Sequence, residues 1–176
     1  MIRTIGKWAE HWSFWFLVVL TVMGMEGTAL FYQYILEEMP CKLCVHVRAY
    51  LLLLLISGVL GILWNRKERS GHLIGQVTIY LLGMAGVGGA WHSASEAVKI
   101  ETSLFGTCSF EAGFPSWMPL DTWFPWIFEP KALCGKGPDF FGVMSLNEAL
   151  VYATTAMAVI ATIVLVANAV YRLSKD

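Results

Sequence analysis

Long apolar runs separated by short polar turns dominate the chain. Four of the runs can span a membrane, because a helix of roughly 20 mostly apolar residues crosses a bilayer core. The runs cover 13–36, 45–64, 73–91 and 149–171. Glu26 interrupts the first run and Arg48 lies one turn inside the second, whereas the other two runs contain no charged residue. The pattern predicts an all-α membrane protein built as a four-transmembrane-helix bundle.

Two loops on one side of the predicted bundle differ in length and content: a short turn at 37–44 and a long segment at 92–148. The long one contains "FPSWMPLDTWFPWIFEP", which is dense in Trp, Phe and Pro. Aromatic residues of this kind favour a bilayer surface, so we expect a short amphipathic interfacial helix near Leu120 to Phe128. The sequence shows no internal repeat and no segment whose composition marks a second domain, so residues 1–176 are interpreted as one domain.

The basic residues predict the orientation of the chain in the membrane. The termini and the short 65–72 loop hold Arg3, Lys7, Arg66, Lys67, Arg69, Arg172 and Lys175. The longer opposite side holds Lys42, Lys99, Lys131 and Lys136, with Arg48 at its edge. The densely basic side is cytoplasmic by the positive-inside rule, so we expect both termini in the cytoplasm and the 37–44 and 92–148 loops outside.

The overall composition agrees with a bilayer environment. Of the 176 residues, 57% are hydrophobic and only 14% are charged, where a soluble domain has about 25% charged residues. The formal net charge is −1, which gives no indication of a basic surface for nucleic acid. The lipid bilayer is therefore the expected surrounding, and no nucleic-acid partner is expected.

All four cysteines fall in the outer loops or at their edge. Disulfides persist outside the cytosol, so this position permits thiol–disulfide chemistry. Four cysteines can pair in three ways, and the sequence favours Cys41 with Cys44 and Cys108 with Cys134.

Cys44 comes where the second predicted span begins. Free backbone N–H groups at a helix N-terminus and a nearby cation both stabilise a thiolate, which is the reactive form of cysteine. Arg48 follows Cys44 by four residues and lies on the same helical face. Arg48 either faces this thiolate or an electron-rich ligand, or extends its side chain back to the interface.

The Cys41-x-x-Cys44 pair has other uses in proteins. Haem attachment needs a histidine directly after the second cysteine, and Val45 stands there. Zinc binding by the four cysteines, or two inert disulfides in a non-catalytic scaffold, are the alternatives. The small ring closed by this pair removes little loop entropy, which favours disulfide exchange over a structural disulfide. We predict no metal site.

Several motifs together resemble the disulfide bond formation protein B family (DsbB), the thiol oxidases of the bacterial inner membrane. The matching features are Pro40-Cys41-x-x-Cys44, Arg48, Glu26, Thr107-Cys108, "FPSWMPLDTWFP", Cys134, and "DFFG" at Asp139 to Gly142. The resemblance covers nearly the whole chain.

The resemblance implies a relay through two cysteine pairs. A reduced periplasmic thioredoxin-fold protein like DsbA would react at Cys108, and electrons would pass from Cys108/Cys134 to Cys41/Cys44 through a transient Cys41–Cys134 bridge. Cys44, as a thiolate near Arg48, would then reduce ubiquinone or menaquinone from the membrane quinone pool. It also implies a multi-pass protein of the bacterial inner membrane with its cysteines on the periplasmic side.

The match leaves some roles open. Family members often have Glu immediately before the arginine, and Val47 stands there in this chain. The family links a histidine near the third span to quinone, and His92 is the candidate. Glu26 is either a structural or a proton-linked carboxyl group, and the role of His46 is not assigned. A vitamin K epoxide reductase-like enzyme is the catalytic alternative, although that family usually places its membrane C-x-x-C near the end of a later helix.

Overall fold

A computed structural model of the protein describes residues 2–66, 73–103, 108–135, 137–140 and 142–173. Some residues used in the sequence interpretation lie outside these ranges. They are Lys67 and Arg69 of the basic loop, Thr107, Lys136, Phe141 of the "DFFG" motif, and Lys175.

The described part of the chain is mostly helical. The four long helices are α2 (Trp12–Tyr34), α3 (Lys42–Arg66), α4 (Leu73–Thr102) and α7 (Leu146–Leu173). The short helices are α1 (Ile2–Ala9), α5 (Leu120–Trp123) and α6 (Pro125–Phe128). Strands β1 (Asp139–Phe140) and β2 (Met144–Ser145) form one antiparallel pair, with Asp139 opposite Ser145 and Phe140 opposite Met144.

Within the described residues, three helices are long and apolar enough to cross a membrane. They are α2, α3 as far as Asn65, and α7 as far as Tyr171. Large apolar side chains on these helices are exposed, among them Leu20, Leu63 and Ile160. Apolar residues point outward where lipid replaces water, so this protein is a multi-pass membrane protein. The predicted fourth span, 73–91, lies within α4.

The outer segment predicted at 92–148 is partly helical. Helix α4 runs on to Thr102, so the first part of the expected 92–148 loop is helical, and α7 already begins at Leu146. Residues 92–101 contain neither Gly nor Pro, so nothing in them ends the helix. Hydropathy marks where lipid contact ends, which is not where a helix must end.

Helix α1 is an element that the apolar pattern did not predict, because it is short and precedes the first span. It packs against α7. The approach is close at Gly6, where an added Cβ would lie 2.5 Å from the Ala167 carbonyl oxygen.

Helix α3 lies between α2 and α4, and α4 in turn packs against α7. The main core cluster contains Val22, Val47, Leu51, Leu54, Val87, Ala90 and Ala94. Small residues of α4 bring its backbone close to α3: a Cβ added at Gly86 would lie 2.9 Å from the Tyr50 carbonyl oxygen. This packing fixes the end of α3 that carries the first cysteine pair.

Candidate active site

Cys41 caps the N-terminus of α3. The chain reverses direction after α2 through Glu37, whose φ of 58° lies in the left-handed region. The Cys41 carbonyl then accepts the first helical hydrogen bond, from the Val45 N–H at 3.1 Å. The Cys41 sulfur accepts a second one, from the Cys44 N–H at 3.3 Å. Cys41 thus acts as an N-cap residue with sulfur in place of the usual side-chain oxygen.

The two thiols of the Cys41-x-x-Cys44 motif face each other. Their Sγ atoms are 2.6 Å apart, and both cysteines are free. The hydrogen bond from the Cys44 thiol is the main reason that the pKa of Cys41 falls from 9.0 to about 7. Burial opposes this effect, and the backbone N–H bonds add to it. This contact favours the thiolate at Cys41 in the reduced pair, and the predicted Cys44 thiolate near Arg48 stays a prediction.

The second cysteine pair is a disulfide between Cys108 and Cys134, as the sequence favoured, with Cα atoms 5.5 Å apart. The Cys134 N–H donates to the Cys108 sulfur at 3.0 Å. Cys134 is buried, with 8% of its surface exposed, whereas Cys108 is half-buried. Cys108 is thus the more accessible sulfur of the disulfide.

Backbone contacts bring the loop disulfide to the first pair. The Pro40 carbonyl accepts hydrogen bonds from the N–H groups of Lys131 at 2.9 Å and Ala132 at 3.2 Å. Cys41 and Ala132 form an isolated parallel bridge. Because Ala132 precedes Cys134 by only two residues, these bonds hold Cys134 beside the N-terminus of α3.

Arg48 is buried and bonded inside the protein. Only 5% of its surface is exposed. Its Nη1 atom donates to the Gln33 side-chain oxygen and to the Ile127 carbonyl, the latter at 3.0 Å. Its Nη2 atom donates to the Ala29 carbonyl at 3.2 Å. Arg48 therefore joins α2, α3 and α6, and it does not extend to the interface.

Cys44 and Arg48 also line one small cleft of about 60 Å³. Its walls come from α2, α3 and α7, and they are mostly apolar. The other lining residues are Met25, Ala29, Tyr32, Glu38, Met39, Pro40, Val47, Leu51, Pro138, Leu146, Asn147 and Leu150. The cleft places a thiol and a buried cation beside a mostly apolar space.

This combination of motifs and topology can be compared with known proteins. A sequence model of the family "Disulfide bond formation protein DsbB" matches residues 11–164. This chain belongs to the DsbB family. Membership confirms the resemblance that the Pro40-Cys41-x-x-Cys44 motif and its companions predicted.

Individual DsbB relatives cover nearly the whole chain. A Shewanella loihica protein named disulfide bond formation protein B is 34% identical over 169 residues, which cover 93% of this chain and 95% of that protein. A Yersinia pestis protein of the same name is 32% identical over 176 residues, covering 100% of this chain and 98% of the relative. A Photorhabdus laumondii protein, also of that name, is 29% identical with 96% and 97% coverage.

Two residues singled out from the sequence do not line the cleft in this DsbB-family chain. His92 is exposed on α4 and does not line the cleft. Glu26 is half-buried on α2, and within the described residues its Oε1 atom is buried without a hydrogen-bond partner. The structure therefore brings Cys44 and Arg48 together, but not His92 with them.

Two polar residues near the DsbB cysteines, Gln33 and Asn147, were not singled out from the sequence, and His46 was left without a role. Gln33 receives the Arg48 hydrogen bond, Asn147 lines the cleft, and His46 contacts the Ala112 carbonyl. Gln33 could have been noticed as a polar residue near the end of an apolar run. The partners of His46 and Asn147 are distant in sequence, so no local pattern identifies them.

A metal centre is not formed in the part of the chain that the structure describes. No group of three or more His, Cys, Asp or Glu side chains there is arranged to hold an ion. The cysteines instead form two pairs joined by backbone contacts, which is an arrangement suited to thiol–disulfide exchange.

Proposed function

We propose that this protein is a membrane thiol:quinone oxidoreductase that reoxidises a periplasmic thioredoxin-fold dithiol protein of the DsbA type. The observation that carries the proposal is the double contact of the first cysteine pair. Cys41 is bridged to Ala132, two residues from the loop disulfide, while Cys44 lines the cleft with Arg48. One pair thus lies next to the segment that carries the loop disulfide and also lines an apolar cleft.

The exposure of the loop disulfide supports Cys108 as the residue that meets the protein substrate. A substrate thiolate attacks Cys108, forms a mixed disulfide and releases Cys134 as the leaving thiolate. Thiol–disulfide exchange depends on access to the attacked sulfur, and Cys108 is more exposed than Cys134.

The released Cys134 then attacks Cys41 of the oxidised Cys41–Cys44 pair. This step forms a Cys41–Cys134 disulfide and releases Cys44. The second cysteine of the substrate attacks the mixed disulfide. The substrate then leaves with its two cysteines joined as a disulfide, and Cys108 is released. Cys108 attacks Cys134, restores the loop disulfide and releases Cys41, so both substrate electrons now reside on Cys41 and Cys44.

The chemistry of the cleft fits a quinone head group. Apolar walls suit its ring, and Arg48 would supply a cation for its oxygens. Cys44 and Arg48 would hold it, while His92 lies outside the cleft. The Cys41–Cys44 dithiol would close to a disulfide by giving two electrons and two protons to the bound ubiquinone or menaquinone. The cleft, at about 60 Å³, is smaller than the roughly 300 Å³ at which ligand pockets begin, so side chains of α2 and α7 would have to move to admit the ring.

The proposed setting is the bacterial inner membrane, with α4 as a fourth span. Four spans return the chain to its starting side, which agrees with basic residues at both ends. Residues 37–44 and the segment from 103 to 145 would face the periplasm. Trp117, Trp123 and Trp126 are exposed around α5 and α6, as expected for a segment at the bilayer surface.

A quinone-reduction assay with each cysteine variant tests this proposal. The purified protein receives a reduced DsbA-like protein and a short-chain quinone, and absorbance records quinone loss. We expect Cys44→Ser to abolish quinone reduction, and Cys108→Ser or Cys134→Ser to block the protein substrate only. These loop variants should still reduce quinone when a small dithiol reduces Cys41–Cys44 directly.

Metal analysis of the purified protein and a count of its free thiols before and after adding quinone separate the alternatives. A non-catalytic scaffold would show no quinone-dependent change in its free thiols, and a zinc protein would contain stoichiometric metal. Quinone reduction at the wild-type rate by Cys44→Ser would contradict the proposed acceptor site.

A further inference from the structure

We infer that His46 is a positioning residue that holds Cys108 near Cys134 while the loop disulfide is open. This inference rests on the relay proposed above and concerns one step of it. His46 lies two residues after Cys44 on α3, but it contacts the outer segment of residues 109–114, which directly follows Cys108.

The main contact is a hydrogen bond between the His46 ring and the Ala112 backbone. The Nε2 atom lies 2.7 Å from the Ala112 carbonyl oxygen, and Ala112 is buried, with 3% of its surface exposed. A carbonyl oxygen can only accept, so Nε2 must carry the hydrogen. The same ring packs on Phe114 with a centroid distance of 5.2 Å.

Further contacts fix the same segment to α3. Lys42, one helical turn before His46, donates to the Ser109 hydroxyl at 3.3 Å. Gly113 has a φ of 72°, so the chain bends there in a conformation that favours glycine. Phe114 then meets Phe128 edge-on at 6.2 Å. The segment after Cys108 is thus held by side chains of α3.

The two sides of the loop disulfide are therefore held by different bonds. Residues 131–132, before Cys134, are bonded to Pro40 by backbone groups, whereas the segment after Cys108 depends on Lys42 and His46. When substrate opens the disulfide, the covalent link between the two sides is lost. The position of Cys108 then depends on the α3 side chains.

This difference assigns His46 to a particular step. Attack of Cys134 on Cys41 depends on the Pro40 contacts and does not need Cys108. The later attack of Cys108 on Cys134 breaks the Cys41–Cys134 bond, re-forms Cys108–Cys134 and returns Cys41 as a thiol. Loss of the His46 contact should slow this resolution step and leave the formation step unchanged.

The test follows the Cys41–Cys134 species through a single turnover. Oxidised protein is mixed with one equivalent of a reduced DsbA-like protein, quenched in acid, alkylated and mapped as non-reduced peptides. We expect His46→Leu to lengthen the lifetime of this species about five- to tenfold, the effect of losing about one hydrogen bond. His46→Gln, whose amide can donate to the same carbonyl, should restore most of the wild-type lifetime.

Two further variants keep the test decisive. His46→Phe retains a ring to pack on Phe114 but lacks the donor, and Lys42→Met removes the neighbouring contact; both should lengthen the lifetime. In a Cys108→Ser/Cys134→Ser background, His46→Leu should leave small-dithiol-driven quinone reduction unchanged. If His46→Leu does not fold, the comparison is made between His46→Phe and His46→Gln. A longer lifetime of the Cys41–Cys134 species in His46→Phe supports the inference, and equal lifetimes overturn it.

The outcomes separate this inference from the proposed relay. Equal lifetimes in wild type and all folded His46 variants overturn the role of His46 and leave the relay standing. A wild-type protein that turns over without any Cys41–Cys134 species overturns the relay and this inference with it.

Discussion

Cys41 is acidic because of its place at the start of α3. The thiol of Cys44 and backbone N–H groups direct hydrogen bonds to its sulfur, and they outweigh the burial that would keep it protonated. A nucleophile with a pKa near ambient pH combines a large thiolate fraction with good reactivity. The lowered pKa thus favours a thiolate at Cys41 near neutral pH.

Alkylation of Cys41 should follow its lowered pKa. In a reduced Cys108→Ser/Cys134→Ser protein, we expect the rate of modification by iodoacetamide to rise with pH through a midpoint near 7, because thiolate replaces thiol there. Mass spectrometry of the peptide gives the rate at each pH.

The control for this profile is Cys44→Ala, which removes the thiol donor. Its midpoint should move to higher pH, toward the value of about 8.5 for an unperturbed cysteine. Equal midpoints in the two proteins would show that the Cys44 hydrogen bond does not set the acidity of Cys41.

Arg48 combines a structural task with its proposed contact to quinone. Its three acceptors are the Gln33 side-chain oxygen and the Ala29 carbonyl on α2, and the Ile127 carbonyl on α6. A buried acceptor left without its donor costs about 1–3 kcal/mol. Any loss of function in an arginine variant must therefore be separated from loss of stability.

Arg48→Ala should raise the apparent KM for quinone and lower the thermal stability by about 1–3 kcal/mol per lost partner. Gln33→Leu serves as the control, because it perturbs the same network without removing the cation. It should lower stability while changing the quinone KM much less. A quinone KM that rises equally in both variants would make the role of Arg48 purely structural.

At the scale of elements, the contact between α3 and α4 depends on small residues. A Cβ added at Gly86 would lie 2.9 Å from the Tyr50 carbonyl oxygen and 3.0 Å from the Leu54 backbone nitrogen, so the helices would have to separate. Gly88, on the same helix, has open space within 4 Å.

Gly86→Ala should destabilise the protein by about 1–3 kcal/mol, the usual cost of overpacking. Gly88→Ala, the matched control, should be neutral or should stabilise by up to about 1 kcal/mol, since alanine favours helix over glycine. Thermal unfolding in detergent measures both. Equal effects at the two positions would contradict the close packing of α3 on α4.

Helix positions were more predictable from the sequence than helix ends. The apolar runs located α2, α3, α4 and α7 because lipid-facing and core-facing residues are both apolar. They did not locate the end of α4 at Thr102, because its polar outer turns remain good helix formers. Nor did they reveal α1, whose packing on α7 depends on a contact between the two ends of the chain.

The sequence identified the residues of the candidate site and one disulfide, but not the contacts between them. The four cysteines and Arg48 follow from motifs, and the Cys108–Cys134 pairing agrees with the sequence. The acidity of Cys41 follows from hydrogen-bond geometry at a helix start, and the contacts of His46 follow from where a distant loop returns. Neither is encoded in local spacing.

At the scale of the whole molecule, the number of membrane spans decides on which side of the membrane the C-terminus lies. Four spans put both termini on the same side, whereas three would put them on opposite sides. The structure has three helices that meet the length and composition of a span in its described part, and α4 is the proposed fourth.

Reporter fusions should therefore show both termini in the cytoplasm. A green fluorescent protein fused after Asp176 or before Met1 should fluoresce in cells. Alkaline phosphatase fused after Phe110 should be active, because the outer segment is proposed to face the periplasm. Phosphatase fused at Asp176 is the control and should be inactive. A dark C-terminal fluorescent fusion beside a bright N-terminal one would mean that α4 does not cross.

The hydrogen bonds between Pro40 and residues 131–132 also bear on how fast the relay can run. Reactants held side by side behave as if at very high effective concentration, because they need not find each other by diffusion. Transfer between the two cysteine pairs is then independent of how crowded or dilute the membrane is. In the proposed relay, the encounter with the soluble dithiol protein and the supply of quinone are then the steps through which a cell can set the rate of disulfide formation.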